Sequence, residues 1–241
     1  MSQYLGPKRS DLIDAPLLSR FFSTLDSLVN RKVKVYVLGG TALTLVGLRK
    51  EGSRDIDISC DDDFNAISES VNKVMASFRA ARIFIPITQS GKEVRNYYFP
   101  KDAIVQIFGT DLTENKRLPE DFHKFAHRLK TIEWVMPEGG VVKSMSCDDL
   151  FNHISIYTLG FADIFCSKIF GLRERDRNDL VFMIEHRGLY FRWHKKFILK
   201  RFQEFWKANR NTSEDIKKGA IRTYNWFQEK YPNHLLTLKL K

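Results

Sequence analysis

The chain of 241 residues is long enough for one large domain or two small ones. Its 43% hydrophobic and 28% charged residues are typical of a soluble globular protein, and no apolar run approaches the roughly 20 residues that span a membrane. The segment 1–16 lacks the apolar core of a secretory signal. Cys60, Cys147 and Cys166 are scattered and odd in number, which argues against a disulfide scaffold or a zinc knuckle and indicates a reducing cytoplasm. The net charge of +10 points to a polyanionic partner such as nucleic acid or a polyphosphate.

The first predicted elements are an amphipathic helix over 12–29 and a buried strand over 33–38. Gly39, Gly40 and Thr41 follow this strand and lead into a short helix over 41–47. A glycine turn that opens a helix offers free backbone N–H groups to a phosphate. A Gly-Gly after a strand is, taken alone, more often only a tight turn.

A second strand is predicted over 54–59, and it carries two acidic residues. Successive side chains of a strand alternate between faces, so Asp55 and Asp57 are expected on one side while Ile56 and Ile58 enter the core. Hard divalent ions such as Mg²⁺ are usually held by one or two carboxylates, waters and substrate phosphates. An isolated Asp-x-Asp is usually a solvated strand edge or a turn. With the glycine turn before it, the pair predicts a site for a metal–nucleoside triphosphate.

The order of strand, Gly-Gly-Thr, helix and Asp-x-Asp resembles the signature of the nucleotidyltransferase superfamily, which has the polymerase-beta-like fold. The resemblance implies that Asp55 and Asp57 bind metal and that Gly39, Gly40 and Thr41 bind the nucleotide.

The middle of the chain predicts the rest of a sheet. A helix is expected from the acidic triplet 61–63 to residue 78, because acidic residues favour a helix start. Strands are expected over 82–87, 93–99 and 103–109, with a turn at 100–102, and a hairpin over 129–135 and 141–144. Beyond Ser146 the strand pattern ends and helices are predicted to the end. We therefore predict an α+β nucleotidyltransferase domain with a mixed, twisted sheet flanked by helices over 1–145, and a helical C-terminal domain over 146–241.

In the superfamily a third carboxylate usually comes from a later strand. The strand 103–109 is the best placed here, and its polar residue is Gln106, whose neutral amide coordinates metal weakly and cannot accept a proton at neutral pH. Either two carboxylates suffice, or Asp102 or Asp111 reaches the site, or catalysis is weakened or lost. Gln106 as a simple polar edge residue is an equally open interpretation.

A second group of charged residues begins with Lys168, on an otherwise apolar helical stretch where burial without a partner would be costly. Asp176 and Asp179 share a face of the next predicted helix. A surface ladder of salt bridges is the ordinary interpretation of such a run. The run Ala-x5-Lys leading to Arg-x-Arg-Asp-x-x-Asp-Leu resembles the C-terminal motif of AbiEii-like nucleotidyltransferases, which include toxin–antitoxin enzymes. That resemblance implies that Lys168 contacts the triphosphate and that Asp176, or else Asp179, is the second catalytic element.

The chain ends in a basic stretch that alternates apolar and basic positions. Phe197, Phe202 and Trp206 are expected to pack on the preceding helices, whereas four cations, namely Lys195, Lys196, Lys200 and Arg201, are expected to face solvent. A solvated face and a non-specific track for RNA both remain open. His123 and His127 lack a third metal ligand nearby in the sequence.

The sequence thus predicts an enzyme that transfers a nucleoside monophosphate from an NTP to a hydroxyl group, with Mg²⁺ or Mn²⁺ as cofactor. The toxin-like motif and the basic charge make the end of a tRNA one acceptor, with a protein side chain or a small molecule as alternatives. Two other classes stay open: a degenerate protein that binds nucleotide or RNA without chemistry, and a protein that docks on an antitoxin-like partner.

Overall fold

The computed structural model describes residues 3–8, 12–48, 52–60, 64–80, 83–86, 93–97, 99–108, 118–119, 122–135, 142–209 and 212–238. The chain forms two compact units. The first comprises Met1–Gly109 and Arg128–Thr158, and the second comprises Thr110–His127 and Leu159–Lys241. The predicted domains were 1–145 and 146–241. In the structure the segment 146–158 belongs to the first unit, and the described part of 110–127 belongs to the second.

The first unit is an α+β structure built on a mixed sheet. The strands, all in this unit except for Ala126, His127 and Leu159 at strand ends, are β1 Gln3–Lys8, β2 Val33–Val37, β3 Ile56–Cys60, β4 Ile83–Pro86, β5 Glu93–Tyr97, β6 Val105–Phe108, β7 Ala126–Arg128, β8 Thr131–Val135, β9 Val142–Ser146 and β10 Ile154–Leu159. The main sheet has the order β6-β3-β2-β10-β7, and β1-β5-β4 and β8-β9 form smaller sheets. Strand β3 runs antiparallel to β2 and parallel to β6, whereas β10 runs parallel to β2.

Helices flank this sheet. They are α1 Ala15–Leu28, α2 Gly39–Leu45, α3 Phe64–Ala80 and the short α4 Cys147–Leu150. Asp14 caps α1 by accepting a hydrogen bond from the backbone N–H of Leu17. The apolar face of α1 is buried from Leu17 to Leu25, as the helical spacing predicted, whereas Leu28 at its end is 44% exposed. Phe21 packs edge-on against Phe78 of α3.

A buried carboxylate fixes the start of β10. Asp26 of α1 accepts hydrogen bonds from the backbone N–H groups of Asn152, His153 and Ile154, at 2.9, 2.6 and 2.6 Å. Three donors offset the cost of removing a charge from water. This contact joins residues more than a hundred positions apart, and the sequence pattern did not reveal it.

The second unit is helical. Its helices are α5 Phe161–Gly171, α6 Glu174–His186, α7 Gly188–Trp193, α8 Lys195–Ala208 and α9 Glu214–Lys230, and a 3₁₀ turn spans Phe122–Phe125. Helix α5 contacts α6, α8 and α9. Phe170 of α5 stacks on Phe202 of α8, with ring centroids 5.5 Å apart. No helix in the described parts of the chain combines the length and apolarity needed to cross a membrane.

The prediction that the strand pattern ends at Ser146 was wrong. Strand β10 lies inside the main sheet, with Ile154, Ile156 and Thr158 buried and Ser155 and Tyr157 half-buried. Its short alternating run precedes a long apolar helix, so the helical pattern dominated the local signal.

Most other predicted elements in the described residues are confirmed to within a few positions. The hairpin of β8 and β9 and the turn that leads from Pro100 to Ala103 are present. The acidic triplet 61–63 and the residues 136–141 of the hairpin turn lie outside the described residues. Helix α2 begins at Gly39, two residues before the predicted start.

Candidate functional site

The glycine segment and the acidic pair lie together at one end of β2 and β3. The backbone N–H of Leu38 donates to the carbonyl of Asp57 (3.0 Å), which extends the β2–β3 ladder by one residue. The chain then turns at once into α2. Gly39 takes a left-handed φ of +53°, which a glycine adopts without strain.

The side chain of Asp57 occupies the space beside Gly39. A Cβ placed on Gly39 would lie 2.6 Å from Oδ2 of Asp57, well inside van der Waals contact. The carboxylate is buried, with 9% of the residue exposed. Glycine is therefore required at position 39 for two reasons: the backbone angle, and the close approach of the acid.

Thr41 joins the turn to the acidic segment. Its fully buried hydroxyl accepts a hydrogen bond from the backbone N–H of Asp57 (2.9 Å) and donates one to the backbone carbonyl of Asp55 (3.1 Å). Both bonds of one hydroxyl thus go to the residues that carry the two carboxylates. The first turn of α2 and the start of β3 are held as one piece.

Asp55 and Gln106 are the other two residues that the sequence placed near Asp57; Asp55 was predicted on the strand itself and lies just before it. Asp55 precedes β3 and is half-buried, and its Oδ1 accepts a long hydrogen bond from the N–H of Ile104 (3.4 Å). Gln106 of β6 pairs in register with Asp57 of β3 and is also half-buried. The strand predicted to be best placed for a third carboxylate is present as β6 and lies next to β3. Its residue in register with Asp57 is an amide.

Asp55 and Asp57 are the carboxylates that could hold a divalent metal whose other ligands are substrate phosphates. Within the described residues no group of three or more His, Cys, Asp or Glu side chains is arranged to hold a metal. Two carboxylates are nevertheless the usual protein contribution to a Mg²⁺ site when a substrate supplies phosphate oxygens. Of the alternative third acids, Asp102 is exposed, and Asp111 lies outside the described residues.

Lys168 of α5 forms a buried ion-pair triad with α6. Its Nζ lies 2.7 Å from Oδ1 of Asp176 and 2.9 Å from Oδ2 of Asp179. All three side chains are about 7% exposed. A Cβ on Gly171 would clash with the Asp176 carboxylate, so glycine at the end of α5 gives the acid room to reach the lysine. This motif is buried, not the surface ladder that charge-rich helices usually form.

The predicted site residues fall into two groups. Asp55, Asp57, Gly39, Gly40 and Thr41 belong to the first compact unit. The three residues of the triad, namely Lys168, Asp176 and Asp179, belong to the second. Spacing alone did not separate the roles of Asp176 and Asp179, and in the structure both contact Lys168.

The helical unit contains a second buried ion pair, which the sequence pattern does not reveal. Arg201 was predicted to face solvent, and this was wrong: it is 1% exposed and its Nε donates to Oδ1 of Asp163 at 2.5 Å. Its guanidinium also pairs with Glu204 and lies 3.6 Å from the ring centroid of Phe125. The acid that would have signalled this burial is 38 residues away in the sequence.

Comparison with known proteins gives no family. No protein-family model and no curated protein matches the chain. Among solved structures, the chain has a weak similarity to the crystal structure of JHP933 from Helicobacter pylori, with 14% sequence identity and a TM-score of 0.34, over 90% of this chain and 93% of that one. A similarity at that level gives no information about function, which is therefore inferred from the residues of this chain.

Proposed function

We propose that the chain is a Mg²⁺-dependent nucleotidyltransferase that moves a nucleoside monophosphate from an NTP to a hydroxyl acceptor. The observation that carries the proposal is the close approach of the Asp57 carboxylate to Gly39, where an added Cβ would lie 2.6 Å from Oδ2. This approach places a glycine turn of the kind that binds phosphate directly beside an acid of the kind that binds metal. The resemblance to the superfamily requires both together. Mn²⁺ is an alternative metal.

In this proposal Asp57 and Asp55 hold the metal ion, which would neutralise charge on the transferring phosphoryl group and orient donor and acceptor. The backbone of Gly39 and Gly40 binds the outer phosphates. The side chain of Thr41, which the sequence also predicted to bind the nucleotide, is fully buried and its proton goes to the Asp55 carbonyl. Thr41 is therefore a positioning residue, which fixes the carboxylates in place through its two hydrogen bonds to their backbone. Positioning and electrostatics, not covalent chemistry by the protein, supply the rate.

Lys168 and Asp176 have the proposed role of a second catalytic element in the helical unit. The ammonium of Lys168 is buried between two carboxylates, so in this role it positions α5 against α6 and is not a free charge for phosphate. The carboxylates of Asp176 and Asp179 hold its ammonium in one position, which limits the rotamers that a free lysine would sample.

Transfer of label tests the chemistry. The protein is incubated with each of four α-³²P-labelled NTPs, Mg²⁺ and total tRNA, which is the acceptor that the basic composition favours. We expect label in the RNA with the wild-type protein. Asp57→Asn should reduce the rate at least about 100-fold, because it removes a charged ligand of the metal ion that would neutralise the phosphoryl group. Asp215→Asn, at an exposed acid of α9, is the matched control and should transfer at the wild-type rate. Failure to label RNA, protein or small hydroxyl acceptors would remove the transferase assignment.

A second candidate function is supported by Gln106. Its position in register with Asp57 means that no acid occupies the neighbouring place on β6. A protein of this kind would bind nucleotide or RNA without transfer. Gln106→Glu separates the two candidates: it should create transfer in a protein that binds NTP but is otherwise inactive. In an active wild-type enzyme, two carboxylates already suffice and the gain should be small.

A further inference from the structure

The surface formed by α7 and α8 combines exposed aromatic side chains with positive charge. Leu189, Trp193 and Phe197 follow one another at intervals of four residues and are 59%, 76% and 40% exposed. Residues four apart lie on the same face of a helix. The two helices meet at His194, whose N–H donates to the carbonyl of Tyr190 in α7 and whose carbonyl accepts from the N–H of Ile198 in α8. Phe197 was predicted to pack inward, and its exposure places it in this stripe instead.

The opposite face of the same helices is buried. Phe191, Ile198 and Phe202 are each 0% exposed and form the core of the helical unit. These buried residues complete the core on this side of α7 and α8. The exposed stripe of Leu189, Trp193 and Phe197 is therefore not needed for folding. An exposed apolar stripe that folding does not require indicates a binding surface.

The charged residues of α7 and of the first two turns of α8 are all positive. Arg192, Lys196 and Lys200 are exposed and Lys195 is half-exposed, while no acidic residue occurs anywhere from residue 186 to residue 203. Lys200 forms an ion pair with Glu204, but at 3.8 Å and with 71% of the lysine side chain exposed it stays accessible. Arg201 does not contribute, since its charge is paired with Asp163 in the interior.

His234 lies against the positive end of α7. Arg192 Nε donates to its Nε2 at 3.2 Å. Burial, followed by the charges of Arg192 and Lys195, lowers the pKa of His234, so that its imidazole is neutral at neutral pH. The field at this end of α7 is therefore set by fixed cations.

We propose that this α7–α8 surface binds single-stranded nucleic acid, with a base stacked on Trp193 and the phosphates beside Arg192, Lys196 and Lys200. Aromatic side chains in a basic surface are how proteins hold single strands without reading their sequence, since every base has a face that can stack. A duplex keeps its bases stacked inside and cannot use Trp193 in this way. The inference goes beyond the transfer reaction, and its test contains no NTP, so its failure is separate from a failure of the proposed chemistry.

Fluorescence anisotropy with labelled oligonucleotides tests the surface. The probes are a 20-nucleotide oligo-U, the matching oligo-dT and a 20-base-pair duplex, at low and physiological salt. We expect both single strands to bind more tightly than the duplex, with an affinity that falls as salt rises. Trp193→Ala should weaken the binding of single strands at least about fivefold, which is the low end for the loss of one stacked base. The duplex affinity should change much less.

Matched variants separate this surface from general basicity. Trp226→Ala is the aromatic control: Trp226 is 46% exposed, but Lys230 lies over its ring at 5.1 Å, and we expect a change of less than about twofold. Lys196→Gln with Lys200→Gln should lower the slope of log affinity against log salt by roughly 1.4, from two phosphate contacts. Lys73→Gln with Lys124→Gln, at exposed lysines elsewhere, should leave the slope near the wild-type value.

Three results would overturn the proposal. One is no binding of any oligonucleotide at low salt. Another is equal loss of affinity in the Trp193 and Trp226 variants. The third is binding to phosphatidylserine vesicles that depends on Trp193 while oligonucleotide binding does not, which would identify a membrane surface as the partner. Circular dichroism confirms that each variant is folded, as expected for changes at exposed side chains.

Discussion

The α-carbon of Gly39 lies so close to the carboxylate of Asp57 that a Cβ on the glycine would be 2.6 Å from Oδ2. The two residues are 18 positions apart, and the β2–β3 pairing brings them together. The relationship is reciprocal. The glycine leaves the space that the acid fills, and the acid excludes any side chain from position 39.

Replacement of Gly39 by alanine should therefore displace Asp57 and weaken Mg²⁺-dependent NTP binding at least about tenfold. The left-handed backbone of residue 39 adds about 1–2 kcal/mol of strain. Gly47→Ala is the control, because Gly47 also has a left-handed φ (+69°) in the same unit but its Cβ would meet Glu133. Gly47→Ala should lose stability with its NTP affinity unchanged. Equal NTP affinities in the two variants would contradict the role assigned to the Gly39–Asp57 contact.

Thr41→Val should destabilise the protein by about 1–3 kcal/mol, because a methyl group replaces the acceptor of the buried Asp57 N–H. Thr41→Ser keeps the hydroxyl and should retain most of the stability. Thr44→Val offers a comparison at a buried threonine whose hydroxyl only donates to the Gly40 carbonyl of its own helix. Urea unfolding measures all three. If Thr41→Val costs no more than Thr44→Val, the hydroxyl does not hold the turn to β3.

Lys168→Met should be the most destabilising substitution in the helical unit, at about 3–5 kcal/mol, because it removes the cation between two buried carboxylates. The triple variant Lys168→Met, Asp176→Asn, Asp179→Asn removes all the charges and should recover part of that loss. Lys73→Met breaks an exposed pair with Glu69 and should leave the urea midpoint unchanged. A Lys168→Met protein as stable as the wild type would show that the triad is not held together in solution.

The three cysteines should be unreactive in the folded protein. All are buried free thiols, and burial, with a smaller effect of Asp148, raises the pKa of Cys147 to about 11. Burial also raises the pKa of Cys166 far above its ordinary value. Since the thiolate is the reactive form, titration with Ellman's reagent at pH 8 should modify fewer than about one thiol in the native state and all three after denaturation. Rapid modification of the native protein would show that these side chains are not buried.

The sequence predicted the central part of the sheet because its signals there are local. Apolar runs mark β2 and β3, and the glycines between them mark the turn. Alternation along β3 then predicts that Asp57 lies on the side opposite to Ile56 and Ile58. The contacts that hold the site are not local. Neither the hydroxyl of Thr41 nor the backbone N–H of Asp57 has a sequence pattern that marks it as a partner of the other.

The same distinction explains the errors. Strand β10 is short and half-alternating, and its place in the sheet depends on pairing with β2, about 120 residues earlier. Arg201 looks like a solvent-facing residue in a basic stretch until Asp163 is packed beside it. Lys168 was recognised as costly to bury alone, and the structure supplies two partners from the next helix.

The most direct measurement of the central claim is calorimetric titration of ATP, GTP, CTP and UTP into the protein, with and without Mg²⁺. We predict binding of at least one NTP that requires Mg²⁺, is weakened at least about tenfold by Asp57→Asn, and is unchanged by Asp215→Asn. One order of magnitude corresponds to roughly 1.4 kcal/mol of binding free energy, within reach of a single charged metal ligand. No binding of any of the four NTPs, or binding that neither Mg²⁺ nor Asp57→Asn affects, would contradict the account.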